Sequence, residues 1–180
     1  MKITRTAQKI NLNNVVDISV DVHKDILCFF FEIDGREYTD ECRNRTAIIE
    51  RDGARLALVG LDDLLSPAAG PDFALLRHPR NAFRVCLCHQ PQGWDAARAA
   101  GAHLTLSGHT HGGQIALPTR NVNPARLQTR YIAGPYHADD ASLYVSRGIG
   151  VGAVPVRVGA PPEIDVITLR STAASVGVAA

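Results

Sequence analysis

Lysine is scarce in this chain of 180 residues: Lys2, Lys9 and Lys24 are its three copies. Excess charge of either sign is missing too, with a formal net charge of +1 and a pI near 7.8. That removes the electrostatic footprint of a nucleic-acid binder or of a protein held on an anionic membrane surface. There is no apolar run of about 18 residues, so no stretch reads as a membrane-spanning helix. Residues 1–14 are polar and lack the apolar centre of a signal peptide. Four cysteines fall short of the density of a disulfide scaffold and suit a reducing compartment. These absences together place the chain in the cytoplasm. Its length allows one domain with a sizeable core.

The scarcity of lysine is uneven. All three lysines precede residue 25, while alanine occurs before Ala47 only as Ala7 and is abundant afterwards. Two sequences of different character meet near residue 45. Residues 15–22 alternate β-branched and acidic side chains and read as a strand; residues 26–33 are a second strand, rich in phenylalanine. Asp34-Gly35 turns the chain, so residues 36–38 return antiparallel. Phe29, Phe30 and Phe31 are adjacent, so at least one faces outward unless another layer covers it. Residues 1–14 are expected to be a disordered lead-in, and the small residues 173–180 a disordered tail.

Downstream of the break, residues 47–50 and 55–60 form a hairpin about Asp52-Gly53. Residues 61–65 open a short helix or loop, and 72–76 a helix with Asp72 in its first turn. Residues 83–88 are a buried strand, 94–100 a short helix closed by Gly101, and 104–107 a second buried strand. This strand–helix–strand unit makes the two strands parallel, with their carboxyl ends on one edge of the sheet. Residues 114–118, 130–134, 142–146 and 163–169 are further strand candidates between Gly and Pro punctuation.

Histidines stand at both of those carboxyl ends. The first strand runs into His89-Gln90-Pro91, and the second into Ser107-Gly108-His109-Thr110-His111-Gly112-Gly113-Gln114. Glycines on both sides of His-x-His let the backbone turn steeply. Ligands collect at the carboxyl edge of such sheets, so His89, His109 and His111 can converge there. Imidazole suits a divalent metal ion such as Mn, Zn or Fe.

Other candidates carry a second reading beside the functional one. Cys86-x-Cys88 has ligand-like spacing, but on an apolar strand the pair reads as core. His103 reads as structural, and His78 and His137 as solvated loop residues. Asp62 and Asp63 suit turn or cap roles. Arg147 or Arg157 can grip a phosphate oxygen through the guanidinium fork, or serve in ion pairs.

Two resemblances sharpen these readings. Residues from about 44 to 170 resemble the C-terminal half of calcineurin-like metallophosphoesterases, over about two-thirds of the chain. The matching blocks are Val59-Gly60-Leu61-Asp62-Asp63, Leu87-Cys88-His89-Gln90-Pro91 and Leu106 to Gln114. They continue through Tyr144-Val145-Ser146-Arg147-Gly148-Ile149-Gly150, Pro155-Val156-Arg157 and Pro161-Pro162-Glu163. The resemblance implies an α/β (α+β) fold, a partial αββα sandwich, β-rich, preceded here by an N-terminal β-hairpin segment. It implies that His89 and His109 ligate one divalent metal and His111 another, the pair about 3.5–4 Å apart. It further implies hydrolysis of a small phosphomonoester or phosphodiester by metal-activated water. The family's first half supplies an Asp-x-His pair, a bridging Asp from Gly-Asp and a Gly-Asn-His block. This chain has no Gly-Asn-His, and only Asp21-Val22-His23 mimics the first pair, which offers Asp21 and His23 as further ligands. Without the bridging carboxylate, one metal on three histidines and water is expected rather than two.

The stretch from residue 15 to about 50 resembles the opening of transposases with an RNase H-like (RuvC-type) DEDD domain. In that family the strand ending Asp-Val-His-Lys carries the first acidic metal ligand, here Asp21. The expected organisation is therefore a transposase-like fragment at 1–45, a truncated phosphoesterase-like domain at 46–172 and a tail at 173–180. The alternatives are a fragment of a DNA transposase or a non-functional fusion product.

Overall fold

The computed structural model describes residues 17–23, 26–33, 36–41, 44–51, 53–67, 70–78, 80–117, 122–152, 154–167 and 169, the first three segments by their backbone alone. The expected lead-in and tail, and the turn residues Asp34 and Gly35, lie outside these. Strands β1 (Asp17–His23), β2 (Ile26–Ile33) and β3 (Arg36–Glu41) form a three-stranded antiparallel sheet. Asp21 pairs with Cys28, and His23 with Ile26. The returning strand runs on to Glu41, past the expected end at Tyr38. The side chains of Phe29, Phe30 and Phe31 lie outside the described residues.

The rest builds a separate six-stranded sheet, ordered β4-β5-β6-β7-β9-β8. Its strands are β4 (Arg45–Arg51), β5 (Ala54–Gly60), β6 (Phe83–Leu87), β7 (Leu104–Ser107), β8 (Gly134–Ala138) and β9 (Ala141–Val145). Strands β5, β6, β7 and β9 run parallel, and an antiparallel hairpin partner closes each edge. This mixed sheet with few helices is an α/β fold, consistent with a calcineurin-like one.

Strands covered on both faces read as continuous apolar runs, and the pleat sends successive residues to opposite faces. Leu58, Val85, Leu87, Leu104, Leu106 and Tyr144 form the core of one face. Val59, Cys86 and Cys88, with Leu76 and Ala97, form the other. Both cysteines are wholly buried, in keeping with their reading as core. Helix α1 (Trp94–Ala99) crosses from β6 to β7 and seats Ala97 on the second face, so the expected strand–helix–strand unit is present. Trp94 sits edge-on to Tyr131, and Tyr131 edge-on to Tyr136, beside Leu143 and Val145. Asp72 caps a 3₁₀ turn at Phe73–Arg77 by accepting from the Ala74 amide.

Three strand expectations fail, each for a local reason. The described residues of the 163–169 stretch lie on the sheet instead of beside it: Ile167 and Leu169 pack on the first face, and the Tyr144 hydroxyl donates to Asp165. An element on a face has no edge to pair with. Within 114–118 the described residues make isolated bridges, Ile115 with Val158 and Leu117 with Val122, and the backbone turns at Gln114. At 130–134 the Ile132 amide donates to the Tyr136 hydroxyl instead of a ladder carbonyl, and the strand starts only at Gly134. His137 consequently stands on β8, beside Ser142 of β9, rather than in a loop. Among the described residues no helix is long and apolar enough to cross a membrane.

Candidate metal centre

Strands β6 and β7 are adjacent and parallel, with Leu87 opposite Leu106. The pairing continues beyond both strands: the Cys88 amide donates to Leu106 O, and the Gly108 amide to His89 O, at 3.1 Å each. That last step sets His89 beside His109. Their rings meet edge to face with centroids 5.0 Å apart, and His89 Nε2 lies 3.2 Å from His109 Nδ1. At this distance one ring donates an N–H to the other. The same spacing fits two nitrogens sharing one cation: at metal–nitrogen bonds of about 2.1 Å they would subtend about 100°. The pair therefore suits a divalent metal as two of its ligands.

The turn that follows is held in an unusual backbone conformation. His109, His111 and Gln114 have φ of 68°, 50° and 54°, the left-handed region that non-glycine residues rarely enter. Such residues persist only where surrounding contacts over-determine them. Here the Thr110 hydroxyl donates to Ile132 O at 2.6 Å, and the Asn123 amide group to Gly112 O at 3.1 Å. Gly112 and Gly113 admit those neighbours. A Cβ on Gly112 would lie 2.6 Å from the Arg147 side chain, and one on Gly113 would lie 2.1 Å from Asn123 Oδ1.

His89, His109, His111 and Gln114 open on a cleft of about 480 Å3 that residues 150–152 also line. No carboxylate lines it among the described residues. His111 Nδ1 faces Gln114 Oε1 at 3.2 Å. Among the described residues no three His, Cys, Asp or Glu side chains are grouped to hold one ion. The structure thus pairs His89 with His109 and does not add His111 as a third ligand to the same point. Asp21 and His23 stand on β1, in the other sheet, and their side chains lie outside the described residues.

The two candidate phosphate-binding arginines are engaged within the protein. Arg147 forms an ion pair with Glu163, which also accepts from the Arg147 amide. Arg157 donates to the carbonyls of Arg147 and Gly150 and, at 3.1 Å, to that of Ala160. Burial, and after it the Arg147 charge, hold the Arg157 guanidinium below its usual range. Neither side chain lines the cleft.

The remaining polar candidates take structural posts. His103 stacks on Phe83 and accepts the Arg84 amide on Nδ1. Burial, then the Arg84 charge, lower its pKa. His78 is exposed. Asp62 and Asp63 accept the amides of Asp63 and Leu65, a turn role. Sequence reasoning overlooked the supports Gln114, Asn123 and Glu163, whose importance lies in side-chain contacts. Gln114 and Glu163 had local signals, as the last residues of the turn motif and of the Pro161-Pro162-Glu163 block, and Asn123 had none.

The chain is 38% identical over 125 residues to the uncharacterized metallophosphoesterase YkuE of Bacillus subtilis, a match covering 67% of this chain and 43% of that protein. It is 30% identical over 127 residues to the phosphodiesterase YaeI of Escherichia coli, covering 70% of this chain and 46% of that protein. It is 35% identical over 119 residues to the uncharacterized metallophosphoesterase Cj0846 of Campylobacter jejuni, covering 63% of this chain and 31% of that protein. No family model matches the chain, and no solved structure matches it. The chain thus spans less than half the length of these relatives, and within that span it is similar to two proteins named metallophosphoesterases and one named a phosphodiesterase.

Proposed function

We propose that the chain carries the histidine-bearing part of a calcineurin-like, metal-dependent phosphoesterase that hydrolyses small phosphomonoesters or phosphodiesters. The observation that carries this reading is the 3.2 Å approach of His89 Nε2 to His109 Nδ1 at the carboxyl ends of neighbouring parallel strands. His89 and His109 would hold a divalent ion, Mn, Zn or Fe, and His111 would serve a second. A cation bound there polarises a phosphoryl oxygen and lowers the pKa of a water. The chain's own residues orient the imidazoles, through the β6–β7 pairing and the tethered turn, and wall the cleft with the 150–152 backbone. Turnover by this chain is proposed to be weak, because its sequence holds no Gly-Asn-His block. Its proposed setting is the cytoplasm.

The proposed organisation keeps residues 1–45 apart as a transposase-like fragment, joined to a truncated phosphoesterase-like domain at 46–172. The change of sheet between β3 and β4 and the break in lysine and alanine usage support it. If DNA binding were the retained activity, affinity for duplex DNA would fall steeply with added salt.

Elemental analysis of the purified chain, paired with hydrolysis of bis-p-nitrophenyl phosphate in added Mn, tests the reading. Bound metal that disappears in both His89→Ala and His109→Ala is the expected result. A wild-type chain that takes up no metal overturns it.

A further inference from the structure

Gln114 closes the turn motif and meets three separate parts of the protein. Its side-chain amide is oriented by main-chain groups whose roles are fixed: the Gly152 N–H donates to Oε1 at 2.5 Å, and Nε2 donates to Val154 O at 2.6 Å. A flipped amide would set N–H against N–H and oxygen against oxygen. The atom facing His111 Nδ1 at 3.2 Å is therefore the oxygen, an acceptor only. Neutral His111 then carries its proton on Nδ1, which leaves the Nε2 lone pair open to an electrophile. The Gln114 carbonyl adds a further link, accepting the Val158 amide at 2.8 Å. Gly152 suits this close approach, since a Cβ there would come within 3.0 Å of Oε1.

We infer that Gln114 is a positioning residue: it selects the ring nitrogen His111 presents and fastens the 152–158 segment to the histidine turn. The orientation of a ligating imidazole and the closure of the cleft wall are thereby set by one side chain. The consequence for metal rests on the function proposed above; the tautomer and the fastening do not.

The test begins on the metal-free chain. Long-range 1H–15N spectra should show His111 protonated on Nδ1 in the wild type. Gln114→Leu should shift it toward the Nε2–H form that free imidazole side chains favour, and speed hydrogen exchange of the Gly152 amide several-fold. Gln114→Glu keeps an oxygen toward His111 and Gly152 but sets its other oxygen against the Val154 carbonyl. It should retain the Nδ1–H form while proteolysis within residues 149–156 becomes faster, and it serves if the leucine variant does not fold. Titration with Zn2+ alone should then show affinity about 10–100-fold weaker in Gln114→Leu. An Nε2–H His111 in the wild type overturns the inference. So does a tautomer and Gly152 exchange that Gln114→Leu leaves unchanged, or an Nδ1–H form lost in Gln114→Glu. A wild-type chain indifferent to Zn2+ instead defeats the metal reading, and the metal-free spectra still decide the role of Gln114.

Discussion

The left-handed histidine turn should invert the usual ranking of alanine and glycine. At His111, with φ of 50°, both His111→Ala and His111→Gly lose the ring's bond to Gln114, so that loss of about 1 kcal/mol cancels between them. What remains is backbone. Alanine held in this region costs about 1–2 kcal/mol. Glycine avoids that cost but surrenders about 0.5–1 kcal/mol more chain entropy on folding. At the middle of these ranges the glycine variant should therefore be more stable than the alanine variant by roughly 0.75 kcal/mol. At Ala96, exposed in α1, the order should be the ordinary one, with Ala96→Gly losing about 1 kcal/mol. Urea unfolding followed by the fluorescence of Trp94, the single tryptophan and 3% exposed, measures both. A His111→Gly chain no more stable than His111→Ala would refute the reasoning. It would mean that the bonds of Thr110 to Ile132, of Asn123 to Gly112 and of Arg157 to the His111 carbonyl do not force the turn.

Three further outcomes are expected. Gly113→Ala should cost upward of about 1–3 kcal/mol from left-handed strain and the collision with Asn123, and Asn123→Ala on that background should recover part of it in the same unfolding assay. Burial, and then the nearby Asp63 carboxylate, push the Cys88 thiol up to about 12 from an ordinary 9.0. A raised acid favours its protonated form in the folded state, so this stability is complete below pH 9 and is lost as pH climbs from 9 toward 12. An alkaline unfolding series checks it, as does mass spectrometry showing Cys86 and Cys88 unlabelled by a thiol reagent until the chain unfolds. Glu163→Gln, which removes the charged acceptor of Arg147, should cost about 1.5–3 kcal/mol in denaturant unfolding.

What could be read from the residues was what repeats along the backbone. The continuous apolar run through Val85, Cys86, Leu87 and Cys88, followed by a short helix and a second run at 104–107, points to parallel neighbours. It also dictates that His89 and His109 end up side by side. The face-lying residues of the 163–169 stretch escaped, because an extended chain that packs Ile167 and Leu169 on a sheet has the same alternation as one that pairs. Tyr131 and Ile132 escaped for a related reason: aromatic and β-branched residues favour strands, but an edge-on ring contact and a bond to the Tyr136 hydroxyl took them. At the site, residue type alone left Arg147 and Arg157 open between phosphate and internal partners. Glu163 and the carbonyls around Gly150 engage them, and neither partner could be read from spacing.

The tethers of the histidine turn also have an order in time. The turn is fixed by Asn123, Ile132 and Arg157, which lie 11, 22 and 46 residues beyond the groups they hold. Strands β5, β6 and β7 can pair as soon as residue 107 has been made, but the turn beyond them has nothing to brace it. During synthesis the imidazoles of His109 and His111 therefore remain on a loose loop until the chain past Arg157 has emerged and folded back. The site is the last part of the sheet's carboxyl edge to set.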